Sequence, residues 1–325
     1  MDALTDLDQQ SFEALVEQHR HELHMHCYRM VGSLHDAEDM VQETFLKAWR
    51  GRMTYEGRAS LRAWLYKIAT NTCLDALRKQ PRRFVPMTLE DDARALDLPI
   101  PASVMEPIWL QPYPDYALDT ISEESVIRQE HTRLAFIVAL QVLPPRQRAV
   151  LILRDVLEWQ ASEVATLLDM SVAAVKSALH RARATLAERA GDDTHMDANG
   201  DAALLERYVR AWESADIDGL VRLLHDDATF SMPPIPSWYR GAATIRDLTA
   251  KTIFAGQAHG RWRLLPTRAN RQIAFGLYRQ SDTPGVHAAY GIQVVTFRGE
   301  RIADILTFRD PALMPYFRLA AVLEG

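Results

Sequence analysis

The stretch His26–Arg50, HCYRMVGSLHDAEDMVQETFLKAWR, decides how the N-terminal part of this chain folds. Leading into it, Phe12, Leu15, Val16, Leu23, Cys27, Met30 and Val31 keep helical spacing with one buried stripe, and Gly32 ends that helix. Ser33, followed three residues later by Asp36, resembles a capping box that opens a second helix. In that helix Ala37, Val41, Phe45 and Ala48 line one face, which turns Asp39, Gln42, Glu43 and Lys47 outward. An acidic outer face is most often merely solvated.

The continuation, GRASLRAWLYKIATNTCLDALRKQPRR (57–83), predicts a third helix from about Leu61 to Arg78. Leu61, Leu65, Ile68 and Leu74 face inward, while Arg62, Lys67, Asn71, Arg78 and Lys79 face out. Six basic residues between Ser60 and Arg83 are opposed by Asp75 alone. Such a stripe releases counterions on meeting phosphates, which gives salt-dependent affinity for nucleic acid. Tyr55, Trp64 and Tyr66 lie beside it as flat partners for unpaired bases, or, for Trp64, as core.

A second basic motif occupies 143–186, LPPRQRAVLILRDVLEWQASEVATLLDMSVAAVKSALHRARATL. Pro144 and Pro145 sit where a helix begins. A short helix Ser162–Leu168, a turn at Asp169–Ser171 and a helix from Val172 follow. Val172, Val175, Leu179, Ala182 and Leu186 step by three and four and are expected to pack inward. Lys176, Ser177, His180, Arg181 and Arg183 then lie on the outer arc, where short and basic side chains fit a DNA major groove. Many such motifs place Gly in the turn; Asp169 can also visit the left-handed region.

Between the two motifs, residues 84–125 hold six of the 16 prolines and nine acidic residues against Arg94 alone. An extended, soluble connector is expected, and its acidity would also suit a basic nucleic-acid channel. The segment IWLQPYPDY, with Trp109, Leu110 and Tyr113, is too apolar to lie free, so something folded should cover it.

With 325 residues, 48% hydrophobic and 25% charged, the chain has globular composition and room for two or three domains. A net charge of −6 leaves local basic patches possible. Cys27 and Cys73 fall in helices and read as buried small hydrophobes. The cluster His19, His21, His24, His26 lacks a usual zinc spacing, so no metal is expected. No apolar run or signal segment suits a membrane, and a cytoplasmic location is expected.

After the polar hinge GDDTHMDANGD, residues 199–325 read as a further domain. Ala202–Ser214 and Asp218–Leu224 are amphipathic helices. Ala228–Ser231, Trp262–Leu265, Ile273–Tyr278, His287–Phe297 and Ile302–Phe308 read as strands, the last pair turning at Arg298–Gly299–Glu300. An α+β cone with a cavity is expected. Met232, Trp238, Tyr239 and Phe254 are candidate lining or plain core. His225, Asp226, Asp227, His259 and His287 are the available acids and bases, but none has a recognisable partner, so no catalytic residue is assigned.

The first two motifs are similar to regions two and four of the extracytoplasmic-function sigma factors, compact members of the sigma-70 family. The residues YVRAWESADIDGLVRLLHDDATFSMPP and SWYRGAATIRDL resemble the SnoaL-like group of the nuclear-transport-factor-two-like fold. The resemblance implies two all-α modules, 1–83 and 126–189, joined by the linker 84–125 and followed by a regulatory α+β domain. It implies core RNA polymerase and promoter DNA as partners. Asp39, Gln42 and Glu43 would meet the beta-prime clamp, and the beta flap would be a further contact. Arg62, Lys67, Asn71, Arg78 and Lys79 would engage the minus-ten element, with the loop Tyr55–Ser60 helping to capture a flipped base. Lys176, Ser177, His180, Arg181 and Arg183 would read the minus-thirty-five element. Trp109, Leu110 and Tyr113 would couple the linker to the last domain, which could hold a small-molecule ligand. Neither cofactor nor catalysis is implied.

Two other readings stand beside this one. A ligand-responsive helix-turn-helix regulator would act without polymerase, but has no use for a clamp-binding helix. A SnoaL-type enzyme carrying a DNA-binding module would need an acid/base pair that the sequence does not display.

Overall fold

The computed structural model describes residues 8–55, 57, 59–79, 83–86, 102–104, 109–118, 131–189, 202–256 and 258–324. Most of the acidic linker and the 191–201 hinge lie outside these residues. Two compact units form: residues 1–83 with 117–191, and residues 84–116 with 192–325.

The first unit is helical. Its N-terminal half contains α1 (Gln9–Glu17), α2 (Arg20–Val31), α3 (Leu34–Gly51) and α4 (Leu61–Lys79). The single helix expected up to Gly32 is two, broken at Gln18–His19, where His19 N–H bonds back to the Val16 carbonyl. Gly32 ends α2 in the left-handed region, φ 70°, and the Ser33 side chain caps α3 by accepting from Asp36 N–H. The buried face of α3 is Leu34, Ala37, Val41, Thr44 and Ala48. Thr44 takes the inward place expected of Phe45, satisfying its hydroxyl on the Met40 carbonyl at 2.6 Å, while Phe45 is half-buried beneath the Arg20 guanidinium.

The second half contains α5 (Leu134–Val142), α6 (Pro145–Leu151) with a π-helical extension Ile152–Val156, α7 (Ala161–Leu168) and α8 (Val172–Arg189). Pro145 occupies the first turn of α6, where a missing N–H costs nothing. The reciprocal cap of Gln160 and Glu163 opens α7.

Arg148 joins the two halves of this unit. Its guanidinium is 1% exposed and donates to the carbonyls of Met30, Gln141 and Leu143 and to Gln141 Oε1. Gln141 Nε2 in turn donates to the Arg29 carbonyl at 3.3 Å. Carbonyl dipoles at the end of α2 thereby solvate a buried cation from α6.

The second unit is an α+β cone. Helices α9 (Ala202–Ser214), α10 (Ile217–Val221) and α11 (Ala242–Leu248) accompany strands β1 (Leu224–Ser231), β2 (Trp238–Arg240), β3 (Trp262–Ala269), β4 (Gln272–Gln280), β5 (Val286–Arg298), β6 (Arg301–Phe308) and β7 (Val322–Glu324). The sheet order is β2-β1-β6-β5-β4-β3, antiparallel except for β1 with β6. β7 pairs with the start of β5, beyond the part that β6 covers. Register shifts in the β4–β5, β5–β6 and β1–β6 pairs mark bulges of the kind that curl a sheet. Leu204, Tyr208, Ala211 and Trp212 form the buried stripe of α9 and close the concave face, each large apolar side chain contributing roughly 1.5–3 kcal/mol. Inside, Tyr208 Oη donates to Gln293 Oε1 at 2.7 Å and Gln293 Nε2 donates to Thr307 Oγ1 at 2.9 Å.

Candidate nucleic-acid and polymerase interface

The α3 candidates lie where the buried stripe leaves them. Asp39 and Gln42 are exposed, and Glu43 is half-exposed beside Lys47 at 3.5 Å. No side chain of this trio belongs to the core of α3, so all three are available to a partner.

On α4 the basic residues divide. Asn71, Arg78 and Lys79 are exposed, Arg78 pairing locally with Asp75. Arg62 donates to Glu22 Oε2 at 2.7 Å and lies over the rings of Tyr66 and Trp159. Lys67 Nζ reaches Asp169 Oδ1, 3.2 Å away in the turn before α8. Tyr66 and Trp159 meet at 5.3 Å. Within the helical unit, therefore, part of the α4 surface faces the helix-turn-helix. Tyr55 and Trp64 pack together at 5.1 Å, with Trp64 half-buried rather than sealed in the core.

The helix-turn-helix is α7–Asp169–α8. Asp169 has φ 51° and ψ 51°, the left-handed turn that its residue type tolerates. Val175, Ala178, Leu179 and Ala182 hold α8 to the unit. Val172, expected inside, is 41% exposed because it sits in the first turn, before the helix meets α6, and Ala178 supplies the missing inward contact. Lys176, Ser177, His180 and Arg181 are exposed. Arg183 is engaged with Asp155 through two bonds of 2.9 and 2.8 Å, which fix α8 to the π-helical segment. It steadies the outer arc of α8 as well as adding charge to it.

His26 is buried, with Nε2 2.9 Å from Thr70 Oγ1. Burial, with Arg29 and Arg62 adding to it, holds its pKa at about 3. Cys27 and Cys73 are buried free thiols. Among the described residues no group of three or more His, Cys, Asp or Glu is placed to hold a metal ion, and no helix is long and apolar enough to cross a membrane.

In the second unit, residues 109–116 lie along the β3–β4 hairpin. Tyr113 N–H donates to Asn270 Oδ1, and Asn270 N–H donates to the Tyr113 carbonyl, both at 2.8 Å. Asp115 accepts from Arg271 N–H at 2.7 Å and from Arg268 Nε at 3.2 Å. Burial raises its pKa, opposed by those donors. Asn270 and Arg271 both have left-handed φ, 53° and 60°, the two-residue turn that suits a hairpin. Leu110 and Tyr113 are each 1% exposed, and Trp109 is partly covered, its Nε1 donating to the Val104 carbonyl. The part of the linker that is too apolar to lie free thus packs as an extra edge of the cone.

Of the four residues considered for a pocket, Met232 lines the cavity of the cone. Trp238, Tyr239 and Phe254 are buried outside its wall, Phe254 standing edge-on to Trp212 at 5.3 Å. The sequence reading missed Trp212, Trp262 and Tyr290, which do line it. Only the strand alternation of Trp262 and Tyr290 carried a signal for them. Asp226 and Asp227 are exposed and pair with Arg301 and Arg298; His225 pairs with Asp227; His287 bonds the Gly260 carbonyl. These groups and His259 are absent from the cavity wall.

Known proteins match along the same divisions. Family models match as Sigma-70 region 2 at residues 15–83, Sigma-70 region 4 at 133–186 and a SnoaL-like domain at 205–305. The ECF RNA polymerase sigma factor SigG of Mycobacterium tuberculosis is 42% identical over 317 residues, covering 95% of this chain and 84% of that one. SigW of Bacillus subtilis, another ECF RNA polymerase sigma factor, is 27% identical over 57% of this chain and 91% of its own length. The crystal structure of the Mycobacterium tuberculosis sigma factor SigJ superposes with a TM-score of 0.60 at 23% identity, covering 96% of this chain and 100% of that one. At that identity the last likeness speaks for the fold.

Proposed function

The chain belongs to the extracytoplasmic-function RNA polymerase sigma factors, and from that premise we propose how its surfaces divide the work of initiation. It is an initiation factor and not an enzyme. Asp39, Gln42 and Glu43 on α3 dock on the beta-prime clamp of core polymerase, and the region-four module meets the beta flap. Asn71, Arg78 and Lys79, joined by Arg62 and Lys67, hold the melted minus-ten strand against Tyr55 and Trp64. Lys176, Ser177, His180 and Arg181, supported by Arg183, read the minus-thirty-five duplex. The fused cone modulates the factor through residues 109–116 and answers to a small molecule. All of this takes place in the cytoplasm, where the polymerase works.

The observation that carries the reading is the pairing, on one chain, of an exposed acidic face on α3 with an exposed basic arc on α8. A repressor needs the second alone. The test is association with core polymerase followed by run-off transcription. Reversing charge at Asp39 and Glu43 to Lys is expected to abolish co-purification with core enzyme while the circular dichroism of the helices stays unchanged. Undiminished co-purification would remove the clamp assignment.

A further inference from the structure

The concave side of the cone holds a half-open cavity of about 230 Å³. Its apolar wall includes Trp212, Trp262 and Tyr290, packed edge-on: Trp212 to Trp262 at 6.0 Å, Trp262 to Tyr290 at 5.1 Å. Three arginines, Arg261, Arg279 and Arg309, share that lining, and among the described residues no Asp, Glu or His does. Arg279 lies over Trp262 at 6.0 Å and Arg309 over Tyr290 at 5.1 Å, while Arg261 Nη1 donates to the Ile253 carbonyl at 3.4 Å.

Arg279 is exposed and Arg261 and Arg309 are half-buried, so water screens part of their mutual repulsion, yet three guanidinium groups still converge on one small aromatic cavity. Each repels the others, and the wall offers no carboxylate to offset them. Arg279 forms no ion pair among the described residues, and Arg309 Nε is buried without a hydrogen-bond acceptor. A guanidinium stacked on a ring keeps its in-plane donors for an anion. The aromatic walls, in turn, suit a flat apolar body. The volume falls below the roughly 300–1,000 Å³ of pockets that take drug-sized ligands, so one or two rings fill it. The wall offers no carboxylate or imidazole among the described residues, so its groups suit binding.

We propose that this cavity is a receptor site for a small organic monoanion, an aromatic or alicyclic carboxylate, held by Arg279 and Arg309 over the Trp212–Trp262–Tyr290 wall. The proposal rests on the reading that the cone answers to a small molecule, and it names the class.

The full-length protein is titrated calorimetrically with sodium 2-naphthoate, with the neutral isostere 2-naphthamide, and with sodium acetate. Naphthoate is expected to bind about tenfold or more tightly than the amide, the usual size of one charge-assisted contact, and acetate to compete poorly. Arg279→Gln and Arg309→Gln should each shrink that preference, and Arg309→Lys should restore part of it, with unchanged thermal midpoints showing that the cone is intact. Equal binding of amide and naphthoate would overturn the anionic class while leaving a small-molecule site. Acetate competing as well as naphthoate would reduce the site to a bare anion hole and overturn the proposal. If neither aromatic probe binds at millimolar concentration, and the cavity-filling Ile235→Trp leaves run-off transcription unchanged, the small-molecule reading itself falls with it.

Discussion

His26 shows how much one side chain contributes to the behaviour of the helical unit. The folded chain holds it neutral down to about pH 3, whereas an unfolded chain would protonate it near 6.5. Between those values the unfolded state binds the extra proton, so stability is full above pH 6.5 and is lost as pH falls. The loss runs to about 1.4 kcal/mol per pH unit. His24, also lowered by burial against the pull of Glu38, acts with the same sign. Urea midpoints should be flat above pH 7 and decline from pH 6.5 to 5, and His26→Gln should flatten the decline. Arg148 makes the complementary case, a charge that must stay ionised. Its removal strands the Met30, Gln141 and Leu143 carbonyls, and a bond to a charged group contributes about 1.5–3 kcal/mol. Arg148→Met should therefore lower the melting midpoint of the helical unit. In the cone, a Cβ on Gly291 would stand 1.9 Å from the Phe308 carbonyl oxygen. Gly291→Ala should destabilise the β5–β6 pair by roughly 4 kcal/mol or more, a magnitude reserved for strain of this kind, and should show as loss of soluble protein.

Among the elements, α4 and α8 carry the DNA-binding proposal and answer to different measurements. Lys176→Ala with Arg181→Ala should weaken duplex binding and flatten its salt dependence, because each phosphate contact adds close to one unit of slope. Asn71→Ala should leave duplex binding intact and impair permanganate-detected strand opening. The Lys67–Asp169 pair is exposed and contributes only about 0–1 kcal/mol, so it is no obstacle to the proposed phosphate contact. The long helices α3, α4 and α8 were legible in the sequence because their apolar steps of three and four recur for several turns, whereas the break between α1 and α2 and the helix α5 were not. Elements without such length were not: β2 and β7 have three residues each, and α11 is two turns ending in a π-helical stretch. The exchange of Phe45 for Thr44 on α3 escaped for another reason. A buried threonine is satisfied by its own helix, which hydrophobicity does not report. A cavity was expected, but its aromatic lining escaped, because Trp212, Trp262 and Tyr290 come from α9, β3 and β5, which are brought together only by the curl of the sheet.

At the scale of the whole molecule, the decisive feature is the tether. The segment between Arg83 and His131 must span whatever distance the two DNA-binding modules take up on polymerase, and an extended chain reaches at most about 3.3–3.6 Å per residue. Residues 109–116, fastened to the β3–β4 hairpin by Tyr113, Asn270 and Asp115, cannot extend while they stay there. On the proposed reading, docking shortens the chain available for separating the modules, and that is how the cone would act on initiation without touching the promoter. Tyr113→Ala together with Asp115→Ala removes the buried ring and the acceptor for Arg268 and Arg271, leaving residues 109–116 free to extend. In run-off assays on a fixed series of promoter variants, this double substitution should change the yield at every promoter by a common factor, with the ranking of promoters preserved. A changed ranking would mean that the linker takes part in sequence reading. An unchanged yield would mean that its docking sets no limit on how the modules spread.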